Sequence, residues 1–141
     1  MNRPVFAFAR VALAVAGFSL ASAASAQTEI QFWHSMTGAL GDRVTILATR
    51  FNESQKQYKV VPVFKGSYDE TLAAGMAASL AGKGPHVLQV YEVGTANMMA
   101  SKGAIVPVSE VMKQAGVKFD AGLYVPAVAG YYTAPNGQML S

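Results

Sequence analysis

The sequence contains no cysteine, and charged residues make up only 13% of its 141 positions. The lack of thiols excludes disulfide scaffolds, cysteine-based zinc sites and thiol nucleophiles. The low charge content argues against a disordered tail, because disordered segments combine high net charge with few apolar residues. Since 52% of the residues are hydrophobic, the chain has enough apolar side chains for the core of one domain.

The short motifs of common catalytic sites are also missing. There is no G-x-S-x-G, no H-E-x-x-H and no G-x-G-x-x-G. The two histidines, His34 and His86, are predicted to lie at opposite ends of their strands, so we expect no shared metal ion. We therefore expect a protein that is not an enzyme and that needs no cofactor or metal.

The first 26 residues have the parts of a secretory signal peptide. Arg3 and Arg10 form a positive n-region, residues 11–21 are an apolar run, and an A-x-A site ends at Ala26. The apolar run is well short of the roughly 20 residues that a helix needs to cross a bilayer. We predict a signal peptide at residues 1–26 and periplasmic localisation. The alternative is a retained membrane anchor.

Without that segment the chain is almost neutral. Residues 27–141 carry nine Lys and Arg against eight Asp and Glu, because both Arg3 and Arg10 lie in the predicted signal peptide. No basic stripe is left to follow a phosphate backbone, and we expect no nucleic-acid partner.

Hydrophobic periodicity predicts alternating strands and helices after residue 26. We expect strands at 29–34, 58–64 and 86–91, helices at 38–55, 67–81, 95–101 and 109–114, a short helix at 121–129 and a hairpin at 131–141. Pro62 cannot donate to a ladder, which favours an edge position for the second strand. Ser67 and Glu70 match the S-x-x-E capping box. This order predicts an α/β fold, a parallel βαβαβ lobe with helices on both faces.

Aromatic and polar residues occur where the predicted strands end. The first strand ends in Trp33, His34 and Ser35, the second leads into Tyr68, and the third ends in Tyr91 and Glu92. Ligands of open α/β sheets bind beyond the carboxyl ends of the strands. Aromatic faces suit the carbons of a small hydroxylated ligand, and Tyr or Glu suits its hydroxyls. Of these residues, we predict that Trp33, His34, Ser35, Tyr68 and Glu92 form a ligand site.

Each of these residues also has a structural interpretation. Trp33 could cap the core, and His34 could be an ordinary hydrogen-bonded residue at a strand end. Tyr68 could be a partly exposed helix residue, and Glu92 could favour the N-terminus of the next helix.

Backbone N–H groups at helix N-termini near residues 37 and 67 would add donors for an anionic group.

Several runs resemble a known family in their order along the chain. They include IQFWHSM at 30–36, KGSY at 65–68 and LQVYEVGTA at 88–96. These runs are similar to those of the periplasmic sn-glycerol-3-phosphate-binding proteins, solute receptors of ABC importers within the extracellular solute-binding protein family 1. The resemblance implies a longer, two-lobed receptor that closes on its ligand. Residues 27–141 would then be an incomplete N-terminal lobe, with the second lobe missing.

The same resemblance implies that Tyr68 and Glu92 contact the ligand, sn-glycerol 3-phosphate or a glycerophosphodiester. It implies further contacts beyond Ser141, membrane permease subunits as partners, and a monomeric receptor. Because a carboxylate would repel a phosphate, we expect Glu92 to bind the glycerol hydroxyls. Two alternatives stay open: a sugar or oligosaccharide receptor of the same superfamily, and an exported phosphate-ester hydrolase, which would need a general base with a metal or nucleophile.

Overall fold

The computed structural model describes residues 27–101 and 103–140, and the predicted signal peptide lies outside them. The strands are β1 (Thr28–His34), β2 (Tyr58–Phe64) and β3 (Val87–Leu88), which form a parallel sheet in the order β2-β1-β3. The helices are α1 (Gly38–Ser54), α2 (Tyr68–Leu80), α3 (Glu92–Ala100), α4 (Val108–Gln114) and α5 (Pro126–Tyr131), with a 3-10 turn at Ala121–Leu123. The predicted α/β class is confirmed.

Strand β1 is the centre of the sheet. It pairs with β2 along its whole length, from Thr28 opposite Tyr58 to His34 opposite Phe64. Pro62 therefore lies in a strand with one neighbour in the described sheet, as its missing N–H predicts. The connection from β1 to β2 moves to one edge of the sheet, and the connection from β2 to β3 moves back past β1 to the other edge. Because such crossovers are right-handed, they place α1 and α2 on opposite faces.

The third strand is shorter than the sequence predicts. The prediction of a strand at 86–91 is wrong, since β3 contains only Val87 and Leu88. The Val87 side chain is 48% exposed, whereas a buried strand was expected. The backbone N–H of Gln89 still donates to the carbonyl of Trp33 (2.9 Å). The chain then turns into α3, which begins at Glu92 and not at Thr95. An acidic residue at the first helical position stabilises this earlier start.

Helix α2 begins with the predicted capping box. The Ser67 Oγ accepts from the backbone N–H of Glu70 (3.3 Å), and the Glu70 carboxylate accepts from the backbone N–H of Ser67 (2.7 Å). This backbone hydrogen bond lowers the pKa of Glu70 below its usual value. The box satisfies two N–H groups that have no partner inside the helix.

Two glycines allow close packing around α2. A Cβ on Gly75 would lie 2.5 Å from the Leu88 side chain, and a Cβ on Gly94 would lie 2.7 Å from the Leu72 side chain. Helix α2 therefore contacts β3 and α3 at distances that no larger residue permits. Leu72 is buried there, and Thr71 beside it has no solvent exposure.

The C-terminal region differs from the prediction in two places. The expected helix at 121–129 is divided by Val125, whose extended conformation follows from the proline after it. The expected hairpin is reduced to an isolated antiparallel bridge between Thr133 and Met139, and Tyr131 belongs to α5. None of the helices in residues 27–101 and 103–140 is long and apolar enough to cross a bilayer.

Candidate functional site

Ser35 joins the three chain segments that leave the carboxyl end of the sheet. Its backbone N–H donates to the side-chain carbonyl of Gln89, after β3 (2.9 Å). Its hydroxyl lies within hydrogen-bonding distance of Thr71 Oγ1 (2.8 Å) and of the Ser67 carbonyl (3.3 Å), both at the start of α2. Ser35 therefore fixes the geometry of this edge, which we call the rim: Ser35, Tyr68, Asp69, Tyr91 and Glu92.

A stacked pair of tyrosines forms one side of the rim. The rings of Tyr68 and Tyr91 lie 5.1 Å apart between centroids with 15° between their planes. The Tyr91 hydroxyl donates to the Asp69 carboxylate in the first turn of α2. This hydrogen bond is the main cause that raises the pKa of Tyr91, and the nearby charges of Asp69 and Glu92 add to it. The phenol therefore keeps its proton at neutral pH.

Glu92 lies beside this pair as the first residue of α3. Its side chain is exposed, and its backbone carbonyl accepts from the Tyr131 hydroxyl (2.5 Å). In the part of the chain that the structure describes, neither the Glu92 carboxylate nor the Tyr68 hydroxyl makes a hydrogen bond. Tyr68 is 44% exposed. The rim thus presents one phenol and one carboxylate that are free to bind a polar ligand.

Trp33 and His34 have partners within the fold. The Trp33 indole N–H donates to the Gln31 side chain (3.1 Å), and the Lys65 Nζ lies 3.8 Å from the centroid of the Trp33 ring. This distance gives a cation–π contact that covers one face of the ring. A ligand role for Trp33 stays a prediction.

His34 is buried, with 6% of its surface exposed. Its ring lies near those of Phe32 and Phe64, and its Nδ1 accepts from the backbone N–H of Met36 (3.3 Å). Burial lowers the pKa of His34, so that the neutral form is favoured. These contacts match the structural interpretation of His34, and its ligand role stays a prediction.

The two helix N-termini near the rim differ. At the start of α2 the capping box already occupies the backbone N–H groups of Ser67 and Glu70. At the start of α1, Thr37 makes no capping hydrogen bond through its side chain, and the first turn has no acidic residue within the described chain. Both termini were expected to offer N–H donors to an anion. Only the N-terminus of α1 lacks a side-chain cap among these two.

Sequence reasoning placed Tyr91 at the end of the third strand but not among the site residues, and it missed Asp69 and Gln89. Tyr91 directly precedes Glu92, and Gln89 is the single polar residue in an apolar run, so both had a sequence signal. Asp69 had none, because an acid in the first turn of a helix is common. Among the residues that the structure describes, no three His, Asp or Glu side chains are grouped as a metal site requires.

An open apolar groove of about 680 Å³ lies outside the rim. It is bordered by β3, α3, α4 and the bridge region, with Leu88, Met98, Val111 and Tyr132 among its lining residues. None of the five predicted site residues lines it. Its apolar lining has few groups that could bind a polyol or a phosphate.

No family model matches the chain. Individual curated proteins do match: the sn-glycerol-3-phosphate-binding periplasmic protein of Pectobacterium atrosepticum is 58% identical over 134 residues, which cover 94% of this chain. Over the matched residues, the chain is homologous to the sn-glycerol-3-phosphate-binding periplasmic proteins. Those of Yersinia enterocolitica and Salmonella typhimurium are 60% and 59% identical, each over 119 residues or 84% of this chain. The resemblance seen in the sequence is confirmed.

The matched region is a minor part of each relative. The chain spans 30% of the length of the Pectobacterium sn-glycerol-3-phosphate-binding protein and 27% of the Yersinia and Salmonella proteins. Among solved structures, CpMnBP1 with mannotriose bound superposes with a TM-score of 0.66 at 22% identity. That superposition covers 80% of this chain and 27% of the other, and it supports the α/β fold alone.

Proposed function

We propose that this chain forms part of a periplasmic receptor that captures sn-glycerol 3-phosphate, or its glycerophosphodiesters, for an ABC importer. The observation that carries the proposal is the 58–60% identity to proteins named as sn-glycerol-3-phosphate-binding periplasmic proteins. These relatives are named for binding, and we propose a receptor without catalytic activity.

The rim supplies a chemical reason for this ligand. The Glu92 carboxylate has acceptor oxygens for the two glycerol hydroxyls, and the Tyr68 phenol can donate or accept beside them. A hydrogen bond to a charged group is stronger than one between neutral groups, which favours Glu92 as the principal contact. The phosphate would lie away from this carboxylate, because like charges repel.

The three other predicted site residues, Ser35, Trp33 and His34, would lie at the border of the ligand site. Ser35 holds the rim together through Gln89 and Thr71, and its own hydroxyl already has partners. Trp33 would offer the ring face that Lys65 leaves open, and His34 would contribute only after a change in its burial. We rank Tyr68 and Glu92 first.

The wider proposal follows the resemblance. Residues 1–26 would direct export to the periplasm, a second lobe would complete the cleft, and the loaded monomer would deliver its ligand to membrane permease subunits. The relatives are named periplasmic, which supports the location. The proposal needs no cofactor, because ligand capture requires only hydrogen bonds, charge and shape.

Calorimetric titration of the full-length protein tests this function. We expect saturable binding of sn-glycerol 3-phosphate with a dissociation constant on the order of micromolar or tighter, and no heat of binding with maltose. Glycerophosphocholine in a third titration separates the phosphomonoester from its diesters. Binding of maltose without binding of sn-glycerol 3-phosphate would favour a sugar receptor. Release of inorganic phosphate during the titration would favour a hydrolase.

A further inference from the structure

We propose that Tyr91, held in place by Asp69, is a positioning residue that sets the orientation of Tyr68 at the ligand site. This inference rests on the proposed function, because it assumes that Tyr68 contacts the ligand. It adds two residues, neither of which had been predicted as part of the site.

Tyr68 has few constraints of its own. It is the first residue of α2, where no preceding helical turn restricts its side chain, and its surface is 44% exposed. Its hydroxyl has no hydrogen-bond partner within the described residues. The near-parallel contact with Tyr91, 5.1 Å between ring centroids, is the aromatic contact that the structure shows for its ring. The position of the Tyr68 hydroxyl therefore depends on where Tyr91 lies.

Tyr91 is fixed at both ends. Its backbone carbonyl accepts from the backbone N–H of Gly94 (3.0 Å) and from the Thr95 hydroxyl (3.2 Å), which together anchor the start of α3. Its hydroxyl donates to the Asp69 carboxylate on α2. The ring thus connects the first turns of two helices, and its hydroxyl end cannot move away from α2 without breaking the hydrogen bond to Asp69.

Asp69 follows Tyr68 directly in the chain, so the three side chains form a closed arrangement. Tyr68 stacks on Tyr91, Tyr91 binds Asp69, and the peptide bond joins Asp69 to Tyr68. The raised pKa of Tyr91 is consistent with this, because a protonated phenol is the donor that the Asp69 carboxylate needs. Loss of the hydrogen bond would release both the ring and the tyrosine stacked on it.

The test compares single and double variants of the full-length protein in titrations with sn-glycerol 3-phosphate. Tyr91→Phe keeps the ring and removes the hydrogen bond, and we expect an affinity loss of about 3- to 10-fold. In a Tyr68→Phe background, Tyr91→Phe should cause no further loss, because the hydroxyl that it positions is already absent. Tyr58→Phe, at the opposite end of the sheet, is the matched control and should bind normally.

A spectroscopic measurement separates positioning from stabilisation. We expect Asp69→Ala, which keeps both tyrosines and removes the hydrogen-bond acceptor, to reduce the near-UV circular dichroism of the tyrosine pair. Tyr91→Phe removes one of the two chromophores, so that variant is compared by affinity alone. Unchanged affinity of Tyr91→Phe, or an undiminished loss in the Tyr68→Phe background, would overturn the inference and leave the proposed function standing. If the unmodified protein does not bind sn-glycerol 3-phosphate, the proposed function fails first and the inference fails with it.

Discussion

Single residues at the rim differ in whether the fold already uses their polar groups. Gln89 and Thr71 bind Ser35, and Asp69 binds Tyr91. Burying the Thr71 hydroxyl without a partner would cost free energy, and its bond to Ser35 allows the end of β1 to lie close to α2. The Tyr68 hydroxyl and the Glu92 carboxylate are the exceptions within the described rim, and this makes them available for a ligand.

Glu92→Gln should weaken the binding of sn-glycerol 3-phosphate by about 10-fold or more, since it replaces charge-assisted hydrogen bonds by neutral ones. Calorimetric titration of the full-length protein measures the change. Glu29→Gln removes an exposed carboxylate at the amino end of β1 and serves as the control. Equal affinities of the Glu92→Gln variant and its parent would leave Glu92 as a helix-terminal residue with no ligand contact.

The buried His34 predicts a pH dependence of stability. Burial lowers its pKa below the ordinary value of 6.5, so the native state binds fewer protons than the unfolded state at mildly acidic pH. The stability that depends on neutral His34 is complete above pH 6.5 and is lost as the pH falls through the lowered pKa.

Urea unfolding of the parent chain and of His34→Gln at pH 7.5 and about pH 5.5 measures this effect. We expect the parent to lose more of its free energy of unfolding than the variant over this interval. The interval lies above the usual pKa of Glu70, which is itself lowered, so the capping box does not titrate within it. The same loss in both proteins would show that His34 does not control this dependence.

At the scale of elements, local signals predicted the fold well where they were strong. Short runs of β-branched and aromatic residues predicted β1 and β2 almost to the residue, and the capping box predicted the start of α2. The third strand failed because its signal was a short apolar run, which does not separate a strand from the chain that enters a helix. The close approach of Gly94 to Leu72, which packs the start of α3 against α2, is a tertiary contact that no local pattern contains.

The candidate site was predictable to the same degree. The positions of Ser35, Tyr68 and Glu92 follow from where parallel strands end, and the sequence contains that information. The contact of Lys65 with Trp33 depends on side chains from neighbouring strands, which the sequence order does not bring together. The stacking of Tyr68 on Tyr91 likewise requires the relative positions of α2 and α3.

The capping box gives a prediction for α2. Ser67→Ala removes the side-chain acceptor of the Glu70 N–H and should lower the free energy of unfolding by about 1 kcal/mol. Glu70→Gln should cost less, because glutamine also serves in this motif. Urea unfolding measures both, with Ser54→Ala at the end of α1 as the control. Equal stabilities of Ser67→Ala and its parent would show that the box does not limit the stability of α2.

The whole molecule exposes many large apolar side chains. Leu80 is 90% exposed and Leu123 83%, and Val125 and Val128 near Leu123 are also exposed. The open groove beside β3 adds further apolar surface. Isolated exposed apolar residues are normal in soluble proteins, whereas a contiguous apolar patch is typical of a surface that packs against another molecule or domain.

Residues 27–141 alone, without the predicted signal peptide, should therefore associate and bind a hydrophobic dye. We expect concentration-dependent sedimentation and a rise in the fluorescence of anilinonaphthalene sulfonate, both smaller for a Leu123→Lys/Val125→Lys variant because charge opposes the burial of that surface. Leu40→Lys on α1 changes an equally apolar exposed residue outside this group and should have little effect. The second lobe proposed above would abolish both signals if it packs on this surface. A monomeric chain that binds no dye at any concentration would show that these side chains form no continuous apolar surface in solution.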